Sequence, residues 1–138
     1  MIEEIFHANQ LLAIIIKQNY SHKGIKFFTP PSFSQQLAYI NYPKKHIIEP
    51  HVHNKVSRNV ELTQEVLLVK KGKLKVDIYN NDKVYVQSRI LTAGDLILLA
   101  SGGHGFEMIE DIEMIEIKQG PFCGDSDKSR FTPIDFTK

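Results

Sequence analysis

From His46 onward the chain is cut into short segments rich in β-branched and aliphatic residues, each ended by turn chemistry, and this punctuation leaves few folds open. The segments are His46 to His53, Gln64 to Lys70, Lys73 to Tyr79, Val84 to Ile90, Asp95 to Ala100, Gly103 to Ile109 and Ile112 to Lys118. Lys71-Gly72, Asn80-Asn81-Asp82 and Thr92-Ala93-Gly94 separate the second to the fifth of them. Residues of these types supply the positive φ angles and the local side-chain bonds that tight turns need. Connections this short join neighbouring strands antiparallel, whereas a parallel pair needs a crossover of roughly a dozen residues or more. The prediction is an all-β domain, an antiparallel sandwich or barrel.

Upstream, Ile2, Ile5, Phe6, Ala8, Leu11 and Leu12 stand at spacings that predict a short N-terminal helical turn. The β-branched run Ile14 to Ile16 then reads as a strand. Gln36 to Tyr42 alternates as a further strand and is ended by Pro43. Gln119 to Lys138, rich in Gly, Pro, Asp and Ser, reads as an ordered tail or loop laid over the rest. A chain of 138 residues has the length of one domain, 1–138, with the core in about 36–118 and the flanking segments packed on it.

Charge and cysteine content narrow the function classes. The 17 Lys and Arg nearly balance the 16 Asp and Glu, and no basic stripe exists that would neutralise a phosphate backbone, so nucleic acid is not an expected partner. The longest apolar run, Leu11 to Ile16, falls far short of the roughly 20 residues that span a bilayer, and no membrane is expected. Glu3 and Glu4 stand where a secretion leader would be positive. Cys123 is alone and forms no internal disulfide, so the expected compartment is the cytoplasm.

Three places carry candidate chemistry. In His51-Val52-His53 a strand would set both imidazoles on one face, roughly 6.6 to 6.8 Å apart along the backbone, close enough to share an ion. Glu65 shares its strand face with Leu67 and Val69, where a carboxylate without a partner is costly; a bound cation offsets that cost, and so does a strand end open to water. Gly102-Gly103-His104 lets the chain turn tightly and aim His104 inward, although a plain loop with His104 on the rim accounts for it as well.

Taken together these residues resemble the two sequence motifs of the cupin superfamily. His51-x-His53, Glu65 and, after six residues, Gly72 follow the first motif. Gly94, five residues, Ala100-Ser101-Gly102, Gly103 and His104 follow the second. Eleven residues, Asn54 to Gln64, separate His53 from Glu65 where the family has three or four, and Ala100 stands in place of proline. The longer spacer leaves Glu61 and Gln64 as alternatives to Glu65, which alone keeps the six-residue step to Gly72. The runs Thr63-Gln64-Glu65, Lys118-Gln119-Gly120-Pro121 and Asp127-Lys128-Ser129-Arg130-Phe131 look like those of small uncharacterised cupins associated with surface-polysaccharide biosynthesis genes.

The resemblance implies a cupin-type double-stranded β-barrel, or jelly roll, holding one divalent transition metal through His51, His53, Glu65 and His104. Such a donor set suits Fe, Mn, Ni, Zn or Co. Leu67, Val69, Phe106 and Met108 are expected to line an apolar pocket around the ion, with Gln36, Tyr39, Arg58 and Arg130 as its polar contacts. Lys128 and Arg130 would meet a phosphate if the tail folds over the mouth. The expected ligand is a small molecule, sugar or nucleotide-sugar in kind, and the expected activity an isomerisation or epimerisation. A non-catalytic sugar-binding or sensory module and an Fe(II)-dependent dioxygenase are the alternatives. Exposed strand edges predict a homodimer in which subunits pair or exchange the N-terminal strand.

Overall fold

A computed structural model describes residues 1–133. An N-terminal hairpin of β1 (Ile2–His7) and β2 (Gln10–Ile16) is followed by a second, β3 (Gly24–Phe27) with β4 (Ala38–Asn41). A long irregular passage then leads to β5 (Glu65–Lys71), β6 (Lys73–Tyr79), β7 (Tyr85–Thr92), β8 (Leu96–Leu99), β9 (Gly103–Met108) and β10 (Glu113–Lys118). No α-helix occurs among the described residues, and one 3-10 turn spans Gly124–Asp127.

The strands form a five-stranded sheet, β1-β2-β8-β5-β10, a three-stranded sheet, β7-β6-β9, and the separate β3-β4 pair. All pairings are antiparallel. Alternation explains how the two larger sheets meet. Leu74, Val76 and Ile78 on β6 pack with Leu67 and Val69 on β5 and with Ile97 and Leu99 on β8 in one buried cluster. Fully burying side chains of this size contributes about 1.5 to 3 kcal/mol each. The outer face of the five-stranded sheet is covered too: Ile14, Val66 and Leu98 lie under Phe28, Phe33 and Leu37. Burial on both faces is why β2 and β8 read as unbroken apolar runs.

Two motif glycines serve the backbone. Gly72, with φ of 92°, turns β5 into β6, and a Cβ there would run into the Asp111 carbonyl. Gly102, with φ of 75°, leads into β9 with its α-carbon against the Tyr79 carbonyl. Asp95 fixes the β7-β8 corner to the end of β2. Its fully buried carboxylate accepts from Lys17 Nζ, Gln18 N and Thr92 N, each at 2.8 Å.

Three expectations are corrected. The N-terminal helical turn is a hairpin whose central residues, Ala8 and Asn9, take φ of 48° and 65°, the left-handed pair of a two-residue type I′ turn. A bulge between Ile5 and Phe6 breaks the two-residue period and produces the helix-like spacing. His46 to His53 is not a strand: residues 46–61 have no regular backbone structure and every residue from 40 to 63 is exposed. A strand gains its stability from a neighbour and a face to bury, and this segment has neither. Finally, the sheets do not close into a barrel, since β1 and β10 remain edges of one and β7 and β9 of the other.

Candidate functional site

Strand pairing sets where His104 points. On β9 it lies opposite Ile78, and Phe106 lies opposite Val76; both β6 partners are buried in the core, so His104 and Phe106 face the interior. On β5, Glu65 shares the face of Leu67 and Val69, which belong to that same core. The two polar side chains thus meet between the sheets, with His104 Nε2 3.2 Å from Glu65 Oε2. That oxygen is shielded from solvent, and its contact with the His104 ring is not well aligned.

The Glu65 carboxyl is held below the ordinary carboxylate range. The adjacent His104 ring lowers its pKa most, burial pushes it up, and the charges of His104, Lys118 and Lys128 lower it further. Lys118 is the residue opposite Glu65 in the β5-β10 register. The pair lies in the wall of a cavity of about 680 Å³, which Tyr79, Phe106, Lys128, Arg130 and Phe131 also line. Phe131 packs edge-on against Tyr79 at 5.0 Å between ring centroids, which seats the tail along the cavity. Burial first, then the charges of Asp77 and the Tyr85 phenol, raise the Tyr79 pKa, leaving its hydroxyl a donor. A second cavity, about 730 Å³, lies beside the outer face of the five-stranded sheet and has no histidine, lysine or arginine in its lining; the Glu65 cavity is the one with chemistry.

The residues anticipated from sequence divide between places. Glu65, His104, Phe106 and Arg130 share the cavity, with Glu61 on its wall. Gln64 points away from Glu65: its buried amide accepts from Ser34 Oγ and Gln35 N and donates to the Ala100 carbonyl, at 3.3, 3.0 and 3.3 Å. Gln36 bridges Thr29, Pro30 and Phe33 within its own loop, and Tyr39 stacks edge-on against Tyr20. Arg58 lies exposed on the irregular passage, and Met108 is 49% exposed; none of these four lines the cavity. Residues 134–138 of the predicted tail fall outside the described residues. Sequence reading missed Tyr79 and Lys118 as parts of this site. Only strand order brings them to Glu65, and no local spacing signals it.

The four expected metal ligands are present in two halves. Zinc-type bonds of roughly 2.0 to 2.2 Å in a tetrahedral site put neighbouring donors about 3.3 Å apart, so Glu65 and His104 have a suitable separation. The shielded, unpartnered Glu65 oxygen fits a cation as well. His51 and His53 have rings 5.2 Å apart, but both are exposed, and His51 Nδ1 is engaged with the Glu49 carbonyl at 2.9 Å. Among the described residues no three His, Cys, Asp or Glu side chains converge. A single chain in this conformation therefore does not assemble the set.

Comparison with protein-family models, curated proteins and solved structures finds no match to this chain. No helix among the described residues is long and apolar enough to cross a membrane.

Proposed function

We propose that this chain is a cupin-type protein whose inter-sheet cavity binds a divalent transition metal and an anionic, sugar-derived small molecule. The observation that carries the reading is the Glu65 carboxylate oxygen, shielded and 3.2 Å from His104 Nε2 at the cavity wall. One carboxylate oxygen shielded from water and without a well-aligned donor is a place where a cation completes the set of partners. Lys128 and Arg130, set among the carboxylates of Glu61, Glu65, Glu116 and Asp127 on the same cavity, supply the cationic donors and the fork geometry that suit a phosphate or carboxylate. Phe106 and Tyr79 offer an apolar wall and a hydroxyl donor beside it, as a sugar ring requires. Isomerisation or epimerisation of the bound sugar derivative, in which one proton is moved, is the reaction class that goes with this reading.

Metal analysis and native mass spectrometry of the purified protein test it first. A divalent metal that Glu65→Gln and His104→Ala both abolish is expected. In thermal-shift measurements, sugar phosphates and nucleotide sugars should raise the melting temperature of the parent protein, with the shift lost in Lys128→Ala/Arg130→Ala. No bound metal, and no shift with any anionic sugar, would sink the proposal.

A further inference from the structure

We infer that the cavity beside the outer face of the five-stranded sheet is a second binding site, and that it takes an organic cation, an alkylated ammonium group on a small apolar body. The site is independent of the metal reading above.

Strand register builds its floor. Ile5 and Ala13, partners across β1 and β2, are buried between the sheets. Their neighbours are therefore turned outward: Glu4 lies opposite Ile14, which belongs to the outer cluster, and Phe6 lies opposite Leu11. The connection from β3 to β4 supplies a wall. Phe28 and Phe33 are packed on that outer cluster, and the Gln36 amide donates to the Pro30 and Phe33 carbonyls at 3.0 and 2.8 Å. Gln64 ties Ser34 and Gln35 to the Ala100 carbonyl. Glu61 and Leu62 line the cavity as well. With a wall held by hydrogen bonds of its own, the space of about 730 Å³ is pre-formed and has the size of a small-molecule site.

Charge and ring faces select the ligand. Among the described residues the lining holds two carboxylates, Glu4 and Glu61, and no lysine, arginine or histidine. Neither carboxylate has an ion-pair partner among those residues. Phe6, Phe27, Phe28 and Phe33 line the same space, and Phe6 and Phe27 are 49 and 58% exposed, so a ligand can reach both. Lys26 Nζ stands 6.0 Å from the Phe28 ring centroid, while Phe6, Phe27 and Phe33 have no cation over them among the described residues. The face of an aromatic ring is the negative part of its quadrupole and attracts an ammonium within about 6 Å. Two unpaired carboxylates repel an anion. A metal ion gains no ligand from phenylalanine, and an uncharged apolar molecule draws nothing from the acids. An organic cation uses both kinds of wall.

Butyrylcholine and its uncharged carbon isostere, 3,3-dimethylbutyl butanoate, are the probes, titrated calorimetrically into the full chain. The cation should bind at least about tenfold tighter than the isostere, and its affinity alone should fall as salt rises. Glu4→Gln/Glu61→Gln should weaken the cation about threefold or more and leave the isostere unchanged. Phe6→Leu and Phe27→Leu keep an apolar side chain and remove a ring face, and each should weaken the cation about two- to fivefold. All four positions are exposed, so every variant should keep the parent circular dichroism.

Absence of cation binding, or an isostere that binds as tightly as the cation, overturns the inference. Cation binding that survives both the glutamate and the phenylalanine substitutions lies elsewhere on the protein and overturns it as well.

Discussion

Replacing Asp95 by alanine should cost about 3 kcal/mol of folding stability. Its carboxylate is fully buried and accepts from two backbone N–H groups, Gln18 and Thr92, and from the Lys17 ammonium, all at 2.8 Å. Alanine leaves both N–H groups without an acceptor, at about 1 to 3 kcal/mol each. Lys17 is 30% exposed and can turn to water, so its loss adds little, and the lower part of that range applies. Asparagine should not rescue, because its NH2 would face either the Gln18 N–H or both the Thr92 N–H and the Lys17 ammonium. Urea unfolding at fixed protein concentration is the assay. With a slope of about 1.5 kcal/mol per molar, the midpoint should fall by about 2 M with the slope unchanged.

The pH dependence has a definite sign. Burial pushes the Asp95 carboxyl up, but the Lys17 ammonium and the Thr92 and Gln18 N–H groups outweigh it and hold the pKa below the ordinary aspartate value. A carboxyl depressed in the folded state contributes stability that is present above the unfolded pKa, about 4, and is lost as pH falls through the folded value. The gap between the parent and Asp95→Ala should therefore be constant near neutrality and narrow in acid. Asp95→Asn within about 0.5 kcal/mol of the parent at neutral pH, or a gap that widens on acidification, would refute the reasoning.

Other outcomes follow from local geometry. Ala8→Asn/Asn9→Gly should raise stability by about 1 kcal/mol, since alanine at φ of 48° occupies a region that costs L-residues roughly 1 to 2 kcal/mol; the thermal midpoint reads it. Gly102→Ala should destabilise by about 2 kcal/mol or more, because the methyl adds a collision with the Tyr79 carbonyl to the strain of φ at 75°. Leu74→Ala, at a fully buried position between the sheets, should cost about 2 to 5 kcal/mol in urea unfolding.

Most of the all-β character was legible in the order of residues, because alternation and turn chemistry are local. Lys73–Tyr79 is a strand with the bounds its sequence predicts, and the Gly72 and Gly94 turns fall where the pattern puts them, with φ of 92° and 89°. Where local signals competed, the sequence misled. The bulge after Ile5 imitates a helical period, and the alternation of His46 to His53 describes a segment able to become a strand without naming the edge it needs. Pairing is a long-range event, and hydrogen bonds between strands are not written in either strand alone.

The candidate site divides along the same line. Glu65 and His104 stood out by residue type and spacing, and an acidic group in an apolar strand announces a need for a partner. That the partner is a histidine 39 positions away, with Lys118 opposite and Tyr79 beside it, was decided by strand order and sheet packing, which bring distant residues into one cavity. His51 and His53 were equally conspicuous in sequence, yet the tertiary structure leaves them exposed. Composition chose the chemistry available to this protein, whereas packing determined which of those groups meet within a single chain.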